Sequence, residues 1–222
     1  MTTEEAKNRI AMRIAREFES EEYIMFINTG VGIPTLVPQF IKSQNVCVQA
    51  ENGMLGVGPP ADGDQVDPRL INASRQPVCE IKGCSYFDSA ASFGMIRGRH
   101  MDATVLGALE VDQQGNVANW IIPNGKQLGV GGAMDLVAGS KRVIIAMGHM
   151  SKDNKPRIKK ECSLPVTGYG KVDMLVTEYA VFVFEDGKMI LKEIAPGVSL
   201  SFIRSITEAD YIISPDLKII EA

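Results

Sequence analysis

The chain is poor in the residues that usually mark a catalytic or metal site. Its two histidines, His100 and His149, are far apart and have no ligand-like companions. Structural roles fit both, although His149 follows a strand-like run that would bring it near a site. The four cysteines, Cys47, Cys79, Cys84 and Cys162, lack paired Cys-x-x-Cys spacing. That argues against a zinc site or a disulfide framework, and no metal is expected. No Gly-x-Ser-x-Gly elbow occurs, and no cysteine has a histidine close in sequence, so serine or thiol acyl chemistry has no evident carrier. No stretch approaches the roughly 18 consecutive apolar residues of a membrane span. The first twenty residues are charged throughout and lack the apolar core of a secretory signal. A soluble, cytoplasmic protein with no membrane partner is expected. Lys and Arg number 23 against 27 Asp and Glu, a formal net charge of -4. Without a basic excess, nucleic acid is excluded as a partner.

The 222 residues are 45% hydrophobic, which suits one substantial core and a single domain over residues 1–222. Ala6, Ile10, Ile14 and Phe18 recur every four residues with charges between them, predicting a helix that lays one face on a core. Thr2 and Glu5 have capping-box spacing at its start. The run Tyr23 to Ile27 predicts a buried strand, followed by the glycine turn at residues 28–34 and a helix start from Thr35. Val46 to Ala50 and Arg142 to Met147 are further apolar strand-like runs, and Asp102 to Val111 predicts one continuous strand. Asp186-Gly187 marks a hairpin between two later strands. This alternation indicates an α/β fold with a largely parallel sheet and an antiparallel segment towards the C-terminus.

Three glycine-rich loops punctuate that pattern. The one after Ala50 begins Glu51-Asn52-Gly53 and continues through Gly56 and Gly58. Ligands of open α/β sheets bind outside the carboxyl ends of strands, so Glu51 is placed to meet a ligand or act as a nucleophile. A carboxylate that merely caps a turn fits the local sequence equally well. The second loop, Gly129-Val130-Gly131-Gly132-Ala133, precedes a short apolar segment. Its backbone N–H groups suit a developing oxyanion, and a tight packing turn is the alternative. The third, Gly30-Val31-Gly32, has neither the full Gly-x-Gly-x-x-Gly pattern nor a Walker lysine. Lys152, Lys155, Arg157, Lys159 and Lys160 form a basic cluster that fits a solvated face or a nucleotide phosphate.

Gln49-Ala50-Glu51-Asn52-Gly53-Met54-Leu55-Gly56 resembles the Ser-Glu-Asn-Gly signature of the β subunit of family I CoA-transferases. The likeness extends through residues 92–98, 117–123, 131–137, 162–168 and 177–182, nearly the whole chain. It implies a three-layer fold of the CoA-transferase and sugar-phosphate isomerase-like superfamily, with helices on both faces of the sheet. It also implies that Glu51 is a nucleophile that carries CoA as a glutamyl thioester, and that the Gly132 N–H, beside Gly131, contributes to an oxyanion hole. Asn52, Gly53, Gly30, Gly32, Ala133 and Lys155 are the candidate substrate and CoA contacts. No cofactor beyond the substrate coenzyme A is implied.

The chain departs from the pattern in places. Ala50 replaces a serine, Arg99 stands where glycine is common, Asn28-Thr29 replaces a more apolar approach to the first glycine loop, and the turn 124–128 differs. These leave Glu51 and Gly131-Gly132 in place and bear on acyl specificity. The glycine-rich loop of the family's α subunit is absent, so a separate α chain is expected, in an α2β2 or larger assembly. An acyl-CoA hydrolase built on the same glutamate and a noncatalytic CoA-binding subunit are the alternatives. Acetate, butyrate and acetoacetate are the acids the resemblance suggests.

Overall fold

The computed structural model describes residues 1–19, 22–122, 125 and 129–221. Helix α1 (Thr3–Ala15) starts at the expected capping box, with Thr2 Oγ1 accepting from Glu5 N and Glu5 Oε2 accepting from Thr2 N. Strands β1 (Met25–Thr29), β2 (Val46–Ala50), β3 (Met54–Pro60) and β4 (Val78–Tyr86) lead into helix α2 (Ser89–Arg97). Next come β5 (Ala103–Leu106), β6 (Glu110–Asp112), β7 (Val117–Ala118), α3 (Ala133–Gly139), β8 (Val143–Ala146) and β9 (Ile158–Lys159). The chain then runs through β10 (Met174–Val176), β11 (Ala180–Glu185), β12 (Lys188–Ile194), α4 (Leu200–Ile206) and β13 (Ile212–Ile219).

Ten strands form one sheet in the order β13-β12-β11-β10-β8-β5-β1-β2-β3-β4. Its centre, β10-β8-β5-β1-β2, is parallel throughout. Alternating side chains divide the core between the two faces, as the pleat requires. Ile144, Ala146, Val105 and Met174 pack with Ile10, Ile14 and Phe18 on the α1 side. Val143, Ile145 and Leu175 pack with Ile96, Leu136 and Ile203 of α2, α3 and α4 on the other. The expected α/β architecture with helices on both faces is therefore observed. The antiparallel hairpin β11–β12 turns at Asp186-Gly187 as expected.

Three local expectations change. The glycine-rich stretch after Glu51 is not all turn: residues 51–53 turn, and β3 then runs back antiparallel to β2 and pairs with β4, giving the sheet a second antiparallel end. The helix expected from Thr35 is two 3-10 turns, Ile33–Leu36 and Pro38–Phe40, because Pro34 and Pro38 remove amide donors and favour short turns. The strand expected over 102–111 breaks at Gly107, and β6 belongs to a separate sheet, β7-β6-β9. At the break the Arg157 guanidinium donates to the carbonyls of Ala108, Leu109 and Gly148, giving the first two a side-chain partner in place of a neighbouring strand.

Gly53 is the tightest point of the turn after β2. It sits at φ +123°, and a Cβ there would lie 2.1 Å from the Phe87 carbonyl oxygen. Gly53→Ala combines a left-handed strain with a backbone clash, so it is expected to cost about 3 kcal/mol. In a chain of this length that corresponds to a fall of roughly 10 °C in Tm. Calorimetry checks it, and an unchanged Tm would contradict the close approach.

Candidate active site

Glu51 leaves the carboxyl end of β2 beside the end of β1. The parallel register sets Asn28 opposite Gln49, and both are fully buried polar residues in otherwise apolar strands. Buried amides require partners, and here they bond to each other and towards Glu51. Asn28 Nδ2 donates to Gln49 Oε1 at 2.7 Å and, at 3.4 Å, to Glu51 Oε2. Gln49 Nε2 donates to Ser92 Oγ at 2.9 Å, and that hydroxyl donates to the Glu51 carbonyl at 2.7 Å. The glutamate's backbone is thus fixed from α2, while its carboxylate accepts a long side-chain hydrogen bond from Asn28 and is also bonded by its own backbone N–H.

Burial pushes the Glu51 carboxyl above its ordinary range, and the Asn28 amide partly offsets this. A carboxylate so poorly solvated is a stronger nucleophile than one in water. Asn28→Leu keeps the bulk and removes the offsetting donor, so it is expected to raise the pKa further. Any reaction needing ionised Glu51 then loses rate at a higher pH on the acid side. Rate against pH, compared between the variant and the parent, checks this; a limb that stays put would discount the Asn28 bond.

Helix α3 brings the second glycine loop to the carboxylate. A Cβ on Gly132 would lie 3.3 Å from Glu51 Oε1 and 3.3 Å from the Phe93 ring. A side chain there would crowd the carboxylate and the ring, so glycine lets the start of α3 approach them without displacing either. Ala133 is the first residue of that helix. Gly131, just before the Gly132 cap, sits at φ +51° in open space. The motif at 162–168 supports α3 from behind. Glu110 accepts from Ser163 and Leu164, Asp112 accepts from Cys162, and Gly168 packs so closely on Val137 that a Cβ would be 2.3 Å from its methyl carbon.

The other expected contacts are more dispersed. Gly53 shapes the turn, and the exposed Asn52 ties it to the Ile71 carbonyl at 2.8 Å. Gly30 lies against β5, donating to the Val105 carbonyl at 2.8 Å, while Gly32 faces open space at φ +88°. Lys155 is exposed on a turn closed by Ser151, and no contact among the described residues joins it to Glu51. The basic cluster disperses too: Lys159 and Lys160 pair with Glu208 and Asp210, and Arg157 serves backbone carbonyls. His149 is fully buried between the hydroxyls of Thr177 and Thr207, its pKa pushed down to about 3 by burial, a structural arrangement. Arg99 sits at φ +62°, the left-handed region that glycine occupies more readily. The divergent turn 124–128 lies, except for Gly125, outside the described residues.

Asn28, Gln49, Ser92 and Phe93 are the site neighbours to which sequence reasoning assigned no role. The available signal was a pair of amides in buried strand runs, at positions where apolar residues are the rule. A cavity of about 450 Å³ borders β2 on the face of Val46, Val48 and Ala50, where Leu36 and Ile41 also line it; Glu51 is not part of its lining. Among the described residues no cluster of three or more His, Cys, Asp or Glu is arranged to hold a metal ion, and no helix is long and apolar enough to cross a membrane.

Comparison with known proteins places this geometry in a family. Residues 7–205 match the model of the Coenzyme A transferase family. The chain is 47% identical over 214 residues to the β subunit of the acetate CoA-transferase of Escherichia coli K12, covering 96% of each chain. It is 46% identical over 212 residues to one subunit of a probable succinyl-CoA:3-ketoacid coenzyme A transferase of Bacillus subtilis, covering 95% of this chain and 96% of the relative. Among solved structures, an acyl-CoA transferase of E. coli O157:H7, crystallised as a thioester complex with CoA, matches with a TM-score of 0.74. The identity there is 26%, over 97% of this chain and 43% of the other. A full-length likeness at this identity, with Glu51 at the end of a central parallel strand and a glycine helix start against it, establishes that the chain belongs to the coenzyme A transferase family.

Proposed function

We propose that this chain is the β subunit of a CoA-transferase, and that Glu51 carries CoA between an acyl-CoA donor and a short-chain or 3-oxo acid. The observation that carries the reading is the half-buried Glu51 carboxylate facing the start of α3 across Gly132. A Glu51 oxygen attacks the thioester carbonyl and CoA leaves as the thiolate, giving a glutamyl acyl anhydride. The thiolate then attacks Glu51 Cδ, the donor acid departs as its carboxylate, and a glutamyl-CoA thioester remains. An acceptor acid reverses these steps. Gly132 N–H stabilises the oxyanion of each tetrahedral intermediate. Each step exchanges a carboxylate and a thiolate at an acyl carbon with no change of oxidation state, so the proposed route calls for no metal or redox cofactor.

The names of the relatives, an acetate CoA-transferase β subunit and a subunit of a succinyl-CoA:3-ketoacid transferase, support acetate and 3-oxo acids as substrates. The word subunit in those names supports a separate α subunit; a cytoplasmic α2β2 or larger assembly is part of the proposal. The relative solved as a thioester complex with CoA supports the covalent intermediate.

The test is to incubate the α/β complex with acetoacetyl-CoA or acetyl-CoA and map the peptides by mass spectrometry. A CoA-sized increment on the Glu51 peptide, discharged by acceptor acid, is expected. Turnover without any adduct at Glu51 would overturn the covalent reading.

A further inference from the structure

Glu51, Gly132 and Phe93 converge on one point. The position a Gly132 Cβ would take is 3.3 Å from Glu51 Oε1 and 3.3 Å from both Cε1 and Cζ of Phe93, so the ring edge and the carboxylate face the same narrow gap. Phe93 is set there by α2, whose preceding residue, Ser92, donates to the Glu51 carbonyl. The ring is also held from outside. The Arg97 guanidinium carbon lies 5.7 Å from its centroid, and Arg97 Nε donates to Asp135 Oδ1 of α3 at 2.7 Å. The two helices are closely packed, since a Cβ on Gly139 would lie 2.2 Å from the Ile96 carbonyl oxygen. The ring and Gly132 therefore sit on one closely packed helix pair, with Glu51 facing them from the turn after β2.

An aromatic ring offers an ionised carboxylate no hydrogen bond and displaces the water that would solvate it, a placement unfavourable for folding. It has a use when the carboxylate carries a thioester. We propose that Phe93 is the water-excluding wall of this site, and that its ring, held by Arg97 and Asp135, sets how the thioester on Glu51 divides between transfer to an acid and loss to water. The inference rests on the glutamyl-CoA reading above. In the losing reaction the oxygen of water bonds to Glu51 Cδ and the C–S bond breaks. CoA leaves as the thiol with one of the water's protons, and Glu51 returns as the free acid. Keeping water from Cδ suppresses this step and leaves attack by an acid intact.

The experiment compares Phe93→Ala, Phe93→Leu and Arg97→Ala with the parent α/β complex. It measures CoA transfer to an acceptor acid, thioester loss without acceptor, and the lifetime of the isolated Glu51–CoA adduct. Phe93→Ala is expected to raise the ratio of hydrolysis to transfer at least about tenfold and to shorten the adduct lifetime to match, as removal of a water-excluding group predicts. Phe93→Leu, which keeps an apolar wall, restores most of both. Arg97→Ala alters only an exposed ion pair and the ring's cover, so it leaves a folded protein with a smaller rise in the ratio. Adduct formation with unchanged lifetime and ratio in Phe93→Ala, or in Arg97→Ala should Phe93→Ala not fold, overturns the proposal. Absence of an adduct in the parent complex overturns the glutamyl-CoA reading instead.

Discussion

Glu51→Gln in the α/β complex is expected to lower kcat by about 10⁴-fold or more, the scale seen when a covalent nucleophile is removed, while leaving a protein at least as stable as the parent at neutral pH. The two halves of this expectation share one cause. Burial raises the Glu51 pKa above the ordinary value of 4.5, so the folded state binds this proton more tightly than the unfolded chain. Below about 4.5 the group is protonated in both states and carries no penalty. As pH rises through the raised pKa, the folded state must hold a poorly solvated charge and its relative stability falls. The neutral amide of the glutamine variant carries no such charge. The Tm advantage of Glu51→Gln should therefore open as pH rises above the ordinary glutamate range and vanish below it. Thermal melts across pH, beside turnover assays, test both halves. A variant that loses activity together with stability would mean that Glu51 caps a turn and does no chemistry.

The central fold was readable because its information is local. Ile10, Ile14 and Phe18 repeat at helical spacing, and Val46 to Ala50 and Arg142 to Met147 are apolar runs of strand length, so α1, β2 and β8 follow from period and composition. The end of β5 was not readable, because Arg157 takes the Ala108 and Leu109 carbonyls from almost fifty residues away. β3 was hidden for another reason: Gly56, at φ +94°, lets the strand pass close to Cys84 on β4, and a glycine in a strand resembles a turn when read alone.

The site divides the same way. Glu51 and the 129–132 loop were recognisable as a carboxylate and a glycine cluster, and the resemblance to a family joined them. Their contact across Gly132 depends on how α2 and α3 pack, which no local pattern encodes. Asn28 and Gln49 had a local signal, being amides in buried strands, yet their mutual hydrogen bond follows only from the β1–β2 register. The basic cluster shows the opposite case. Residues clustered in sequence were dispersed by the fold to Glu208, Asp210 and backbone carbonyls.

Gly132→Ala is expected to lower kcat by about 10²- to 10³-fold, the loss typical of an impaired oxyanion donor, with little change in Tm. The added methyl would meet Glu51 Oε1 and the Phe93 ring at 3.3 Å, so a few tenths of an ångström of movement accommodates it. That movement falls on the reacting oxygen and on the approach of the α3 backbone to it, where small displacements are costly to catalysis. Folding is barely affected because the helix-start conformation, φ -84° at Gly132, is open to alanine. Gly94→Ala is the matched control. It adds the same methyl to exposed α2, where no atom lies within 4 Å of the new carbon, and it is expected to stabilise by up to about 1 kcal/mol through helix propensity. A Gly132→Ala enzyme that forms the Glu51 adduct at the parent rate would remove the oxyanion role from α3. A slow enzyme with an unchanged Tm, beside an active Gly94→Ala, places the loss at the gap between Gly132 and Glu51.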